Sequence, residues 1–217
     1  MLIVAMLLLF AAVQPADPIR VAPETALLPA TGVMLLIGLR LVGRLRGLPN
    51  LVIASEALLQ MTLFTLAGIL LSYALAARGG SLWDAEFALW DQALSFDWPA
   101  IRAALDTHRS AVWLLTIAYH SLIPQMVAVI LLLSAHGLHR ELRILILAAV
   151  IAGLATILLS GLFPAMGNLF DADRYRYLPS SVATVHAPVI EGLRDGSLRT
   201  IDLRQMMGIV TFPSYHA

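Results

Sequence analysis

The chain has 217 residues, of which 59% are hydrophobic and 13% charged, with a formal net charge of zero. A soluble domain carries about a quarter charged residues, so this composition excludes an ordinary soluble globular protein and reads as a polytopic membrane protein; the balanced charge argues against a nucleic-acid partner. There is no cysteine and no lysine, all fourteen basic residues being Arg, which rules out disulfides, thiolate metal ligands, thiol nucleophiles, Schiff-base chemistry and a P-loop lysine.

Leu2–Val13 is the first apolar run. It reads as the end of a spanning helix rather than a signal-peptide core, because no basic residue precedes it and Gln14-Pro15-Ala16-Asp17-Pro18 makes a poor cleavage site. Four further runs, Ala26–Val42, Leu51–Ala77, Ala111–Ala135 and Ile144–Met166, approach or exceed the roughly 20 residues needed to cross a bilayer. Glu56 and Gln60 share a face of the third run, where snorkelling or interhelical hydrogen bonding is the default role. Tyr119, His120 and Ser121 lie inside the fourth, just before Pro124, which frees a carbonyl one turn back.

The short connections carry the basic residues. Arg40, Arg44 and Arg46 stand in one, and His136, His139, Arg140 and Arg143 in another. The positive-inside tendency places both in the cytoplasm. Two long polar segments, about 78–110 and 167–211, then face outward, consistent with five crossings, an inner amino terminus and residence in the plasma membrane. An all-Arg basic complement fits a GC-rich bacterial genome.

The first outer segment, within 81–109, spaces Trp83, Phe87, Trp90, Leu94 and Phe96 at helical intervals with Asp84, Glu86 and Asp91 between them. The pattern predicts an amphipathic helix lying on the membrane with its rings at headgroup level; a substrate lid is the less favoured reading. The second, 167–212, carries "GNLFDADRYRYLPSS" and leads into the terminal "GIVTFPSYHA". Asp171 and Asp173 with Arg beside them make a poor divalent site, so no metal is assigned, and no cofactor. His186 in this loop reads as solvated or loop-packed.

Pro213 suits the first turn of a helix, and Phe212 before it is pushed toward extended geometry. A helix starting there leaves the amides of Ser214, Tyr215 and His216 without intrahelical acceptors, a setting that binds phosphate. Ser214 adds a hydroxyl donor, and His216 brings a group suited to proton transfer near neutral pH. The plain alternative is a helix cap with a solvated His.

"GIVTFPSYHA" resembles the P-S-x-H motif of the type 2 phosphatidic acid phosphatase (PAP2) superfamily. The preceding "LRDGSLRTIDL" is similar to the inositol phosphorylceramide synthase, or aureobasidin-resistance, branch. "LSFDWPAI" and "AYHSLIPQ" share the likeness more loosely, which covers about 81–217. The resemblance implies an all-α polytopic fold of about six spans, here five plus the start of a sixth, in a single membrane domain 1–217 with an outer active-site loop 167–212. It implies metal-independent, histidine-based transfer of a phosphoryl or phospho-alcohol group from a lipid or lipid-linked phosphate at the outer face. His216 would protonate the leaving alkoxide, and Ser214 with neighbouring amides would hold the phosphate. The superfamily's lysine-bearing motif is missing, so Arg174, Arg176, Arg199 and Arg204 are the phosphate-clamp candidates, Arg204 first, its alternative being a pair with Asp202. The H-x-x-x-D motif that supplies the nucleophile in such enzymes is also missing: none of His108, His120, His136, His139 and His186 has an Asp four residues on. The expectation is a carboxy-terminally truncated sequence, inactive as it stands. From a different class, a non-catalytic polytopic protein serving transport or assembly is the alternative.

Overall fold

The computed structural model describes residues 2–167, 169–170, 172–180, 182–204, 208–210 and 212. Nine α-helices occur among them: α1 (Leu2–Ala12), α2 (Leu27–Leu45), α3 (Pro49–Ala77), α4 (Asp84–Ala93), α5 (Trp98–Asp106), α6 (Arg109–His120), α7 (Leu122–Ala135), α8 (His139–Leu162) and α9 (Val182–Asp195). Two residue pairs form a parallel ladder of β1 (Arg20–Val21) with β2 (Thr200–Ile201).

α3 is the central post. Its 29 residues extend about 43 Å, more than the roughly 30 Å hydrocarbon core of a bilayer. It packs on α1, α2, α7, α8 and α9 with a buried face rich in small residues, among them Ala54, Ser55, Ala57, Ala67, Gly68, Ser72 and Ala74. Small side chains let helix backbones approach closely, which is what holds spans together where lipid removes the hydrophobic drive. Gly68 shows the closeness: a Cβ there would stand 2.9 Å from Ile157 of α8, and one on Gly161 of α8 would stand 2.9 Å from Leu75 of α3. Arg40 of α2 reaches Glu56 of α3 at 3.4 Å, so the acid near the end of the third apolar run has an interhelical partner.

By length and composition α2, α3 and α8 are long and apolar enough to cross a membrane, and the α6–α7 pair adds a fourth span if its two halves count as one. The count differs from the five expected in two places. α1 is an 11-residue apolar helix, about 16 Å long, with Met6 buried in the core it forms with α3 and α8. The run 111–135 is not one rod but two helices bent by 50° at Ser121. The bend falls one turn before Pro124, whose ring displaces the carbonyl of His120 and cannot donate to it. Ser121 turns its hydroxyl to the Ala118 carbonyl at 2.7 Å and accepts from Gln125. His120 is exposed and lies edge-on to Tyr119 at 5.4 Å.

The helix expected across 81–109 is likewise two, α4 and α5. Asp97 caps α5 by accepting the Ala100 N–H at 3.0 Å, and Pro99 occupies its first turn, so local capping overrides the ring periodicity. Ser95, between the helices, takes a positive φ of 62°. The other difference is α9, a helix inside the outer segment. Its buried His186, Ile190 and Leu193 lie at helical spacing, and the last two join Tyr73, Ala74 and Ala77 at the end of α3.

Candidate active-site face

The long polar segments gather at one end of the bundle, each held there by a different acid, hydroxyl or backbone ladder. Trp83 N–H donates to the Pro164 carbonyl at 2.8 Å, and the Asp84 carboxylate accepts the N–H groups of Met166 and Gly167, each at 2.9 Å. The start of α4 is thereby fixed to the segment that leaves α8. Trp83 also meets Phe163 edge to face at 4.8 Å. Arg194 of α9 donates to the carbonyl of Gly80, just past α3. His136 and His139 belong to the α7–α8 connection at the far ends of their helices, beside Asn50, whose amide donates to the Ala135 carbonyl at 3.2 Å.

Asp106, the last residue of α5, organises the arginine-bearing stretch. Its carboxylate accepts three consecutive backbone N–H groups: Arg176 at 2.8 Å, Tyr177 at 2.7 Å and Leu178 at 2.9 Å. Desolvation pushes its pKa up, but these three donors and the Arg176 charge outweigh it and hold the group below its ordinary value. Arg176 itself is exposed, its guanidinium 5.2 Å from the Tyr177 ring centre. Arg174, also exposed, closes a short 3-10 turn, 172–174, in the same stretch. Arg102 of α5 joins this assembly from below, with its guanidinium 4.8 Å over the Phe170 ring and Nε 3.4 Å from the Tyr175 hydroxyl.

The stretch that leads toward the terminal tetrad is anchored to the other end of the sequence. Arg20 N–H donates to the Arg199 carbonyl at 2.8 Å and Ala22 N–H to the Ile201 carbonyl at 3.0 Å. Leu203 N–H donates to Thr25 Oγ1 at 3.0 Å, and that hydroxyl donates onward to the Ala22 carbonyl at 2.6 Å. Thr25 is buried, so removing its oxygen leaves an amide with neither partner nor water. In Thr25→Val the Leu203 amide is expected to exchange with solvent about tenfold faster, and Thr25→Ser to restore protection, both read by hydrogen-exchange mass spectrometry. Equal protection in all three proteins would show the contact to be dispensable.

Arg204 pairs with its neighbour. Nε and Nη2 donate to Asp202 at 3.0 and 2.8 Å, and the Arg204 backbone N–H adds a third bond at 2.8 Å. These donors hold Asp202 below its ordinary pKa. Two of the five guanidinium N–H groups are so engaged, and the side chain is exposed. Arg199 is turned inward, with Nη1 donating to the Leu193 carbonyl at 2.6 Å and Nε 3.8 Å from Asp17. His186 is buried rather than solvated, and burial lowers its pKa by disfavouring the charged imidazolium.

Ser214 and His216 lie outside the described residues. Phe212, just ahead of their tetrad, is described: its ring packs on Phe87 of α4 at 4.1 Å. The structure thus brings Arg174, Arg176 and Arg102 into one assembly around α5, sets Arg204 next to Leu203, which is tied to Thr25, and seats Phe212 against α4. Thr25, Asp84, Arg102 and Asp106 had not been singled out by the sequence. For Asp84 the available signal was an acid in the first turn of a helix; for Thr25, Arg102 and Asp106 nothing local distinguishes them.

Apolar spans around a small-residue post, with polar segments collected at one end, define an all-α polytopic integral membrane protein. The family model described as PAP2 superfamily matches residues 85–217, more than half of the chain, and the chain belongs to that superfamily. Membership brings a phosphatase-type activity on lipid phosphates and association with the membrane, at the superfamily level. Neither the curated proteins nor the solved structures contain a significant match to this chain.

Proposed function

We propose that the chain forms the acid-and-anion-binding part of a membrane-embedded, histidine-based and metal-independent lipid-phosphate phosphatase or phosphotransferase of the inositolphosphotransferase type. The observation that carries this reading is that the PAP2 match runs through the P-S-x-H tetrad while Phe212, just ahead of it, is packed on the face where the arginine-bearing segments converge. Ser214 and the neighbouring amides would hold the phosphate, helped by the outward guanidinium groups of Arg174, Arg176 and Arg204, whose planar forks match phosphate oxygens.

In this chemistry an imidazole attacks phosphorus and the ester P–O bond breaks. His216 gives its proton to the departing alkoxide, leaving a phospho-histidine and a free alcohol. Water, or an alcohol such as inositol, then attacks the same phosphorus while His216 takes its proton back, and the P–N bond breaks. The attacking imidazole belongs to an H-x-x-x-D, which these 217 residues do not contain. These 217 residues are therefore expected to bind a lipid phosphate without turning it over, and a protein that joins them to an H-x-x-x-D to turn it over in liposomes containing EDTA. Phosphate release marks water as acceptor, and a phospho-alcohol product marks transfer. A joined protein that binds no lipid phosphate and releases no product would favour the transport or assembly reading.

The polar face is assigned to the outside of a bacterial plasma membrane, because Arg44, Arg46, Arg140 and Arg143 lie toward the opposite end. The chain has no cysteine, so single substitutions report cleanly. Gln92→Cys is expected to react with an impermeant maleimide in intact cells and His136→Cys only after permeabilisation. The reverse pattern would invert the assignment.

A further inference from the structure

α4 and α5 bury no residue against the rest of the protein, yet they carry two of the chain's four tryptophans, Trp90 and Trp98. Between them, the 165–169 segment and Phe212 lies an open groove of about 1050 Å³, as large as sites that take a sizeable organic ligand. Its rings come from Phe87, Trp90, Phe96, Trp98 and Phe212, with Leu169 opposite. Three acids also line it, and three acids in one groove would ordinarily invite a cation. Each is engaged in building the walls instead. Asp84 receives the Met166 and Gly167 N–H groups, Asp91 accepts Trp98 Nε1–H at 2.7 Å, and Asp97 caps α5. Arg102 is the one basic residue among the described residues of the lining. The interior surface is thus apolar and aromatic, with a guanidinium in place of an unengaged carboxylate.

We propose that this groove seats an acyl chain of the lipid phosphate, with the phosphate drawn toward Arg102; the proposal rests on the superfamily's lipid-phosphate chemistry and on the site reading above. Three observations favour a lipid chain over any other occupant. The groove rings stay accessible, Trp90 at 54% and Phe96 at 48%, and an exposed aromatic surface of this extent marks a binding site. The groove lining includes Ala165 and Gly167, just past the end of α8, whose last turns expose the apolar Leu158, Leu159 and Leu162. Phe212 lines the groove too, its ring tilted against Phe87 at 4.1 Å, and in sequence it directly precedes the P-S-x-H tetrad. A chain lying along the rings would bring its head to Arg102, which lines the same groove. The α4–α5 pair is accordingly a wall of the substrate site as well as an interfacial anchor.

The test places the 217-residue chain in phosphatidylcholine nanodiscs with phosphatidic acid bearing a diazirine at the end of one acyl chain. Crosslinks are mapped by mass spectrometry, with a matched diacylglycerol probe in parallel. Labelling is expected to concentrate on Phe87, Trp90, Phe96 and Trp98 relative to Met34 and Leu35 on the exposed face of α2. Ala88 is exposed and lines the groove, so Ala88→Trp fills the groove without repacking the bundle. It should cut groove labelling about fivefold or more, an effect of the size of one lost apolar contact, and leave α2 labelling unchanged, which also reports that the variant is folded. Equal labelling of α2 and α4–α5, or groove labelling indifferent to Ala88→Trp, would overturn the proposal. Groove labelling that responds to Ala88→Trp but is the same for both probes would uphold the chain site and count against phosphate recognition by the tetrad and arginines.

Discussion

Replacing His216 by Ala, in a chain that also carries the H-x-x-x-D motif, is expected to lower lipid-phosphate turnover by about 10²–10⁴-fold, the range a positioned general acid contributes. The size follows from the leaving group. An alkoxide expelled from a lipid phosphate is strongly basic, and without a proton donor the P–O bond must break against the full cost of that charge. The same logic supplies a control that a purely structural role would not satisfy. An ester whose alcohol is a nitrophenol leaves as a stable anion and needs little protonation, so its hydrolysis should fall far less in His216→Ala. KM for the lipid should change little, because the acid acts as the bond breaks. Ser214→Ala gives a different signature: loss of one donor to a charged phosphate costs roughly tenfold and affects both esters alike. Equal losses on the two esters in His216→Ala would remove the histidine from the acid role.

The apolar elements were legible because hydropathy needs no partner to be read. The runs 26–42, 51–77 and 144–166 became α2, α3 and α8 with ends displaced by a few residues, and 111–135 became α6 and α7 once the consequence of Pro124 for the His120 carbonyl is included. The split of 81–109 was also written locally, in Asp97 and Pro99, but ring spacing was the louder signal. The rest of the outer face was not legible, because its order comes from contacts remote in sequence. Leu203 meets Thr25 across 178 positions, and Asp106 meets the 176–178 backbone across 70 to 72. Helix α9 depends on the end of α3 for a surface on which to lay Ile190 and Leu193, and Pro188 inside it masks the period. At the site, the Arg204–Asp202 pair was foreseeable from adjacency alone, whereas Arg102 takes its place only when α5 is brought beside Phe170 and Tyr175.

Replacing Asp106 by Ala releases the segment that carries Arg174 and Arg176. One carboxylate holds three successive amides there. The amides of Arg176, Tyr177 and Leu178 are expected to exchange at least about tenfold faster, since a charge-assisted bond of this kind is among the stronger ones a loop can make. Asp106→Asn keeps one acceptor oxygen and loses the charge, so it should fall between wild type and Ala. The pH dependence has a definite sign. Three donors and the Arg176 charge hold the folded-state pKa below the ordinary Asp value of 3.8. The anchoring is therefore fully present above the ordinary value and is lost as pH falls from there through the lower folded-state value. Protection of 176–178 should be flat across the neutral range and collapse only in strong acid, and this collapse should be missing in Asp106→Ala, whose loop is already released. Because Arg102 reaches the same segment through Tyr175 and Phe170, the loosening should extend to the lip of the α4–α5 groove. A neutral-pH titration of the loop, or an Asp106→Ala protein with wild-type protection, would show that something other than this carboxylate sets the position of the arginines.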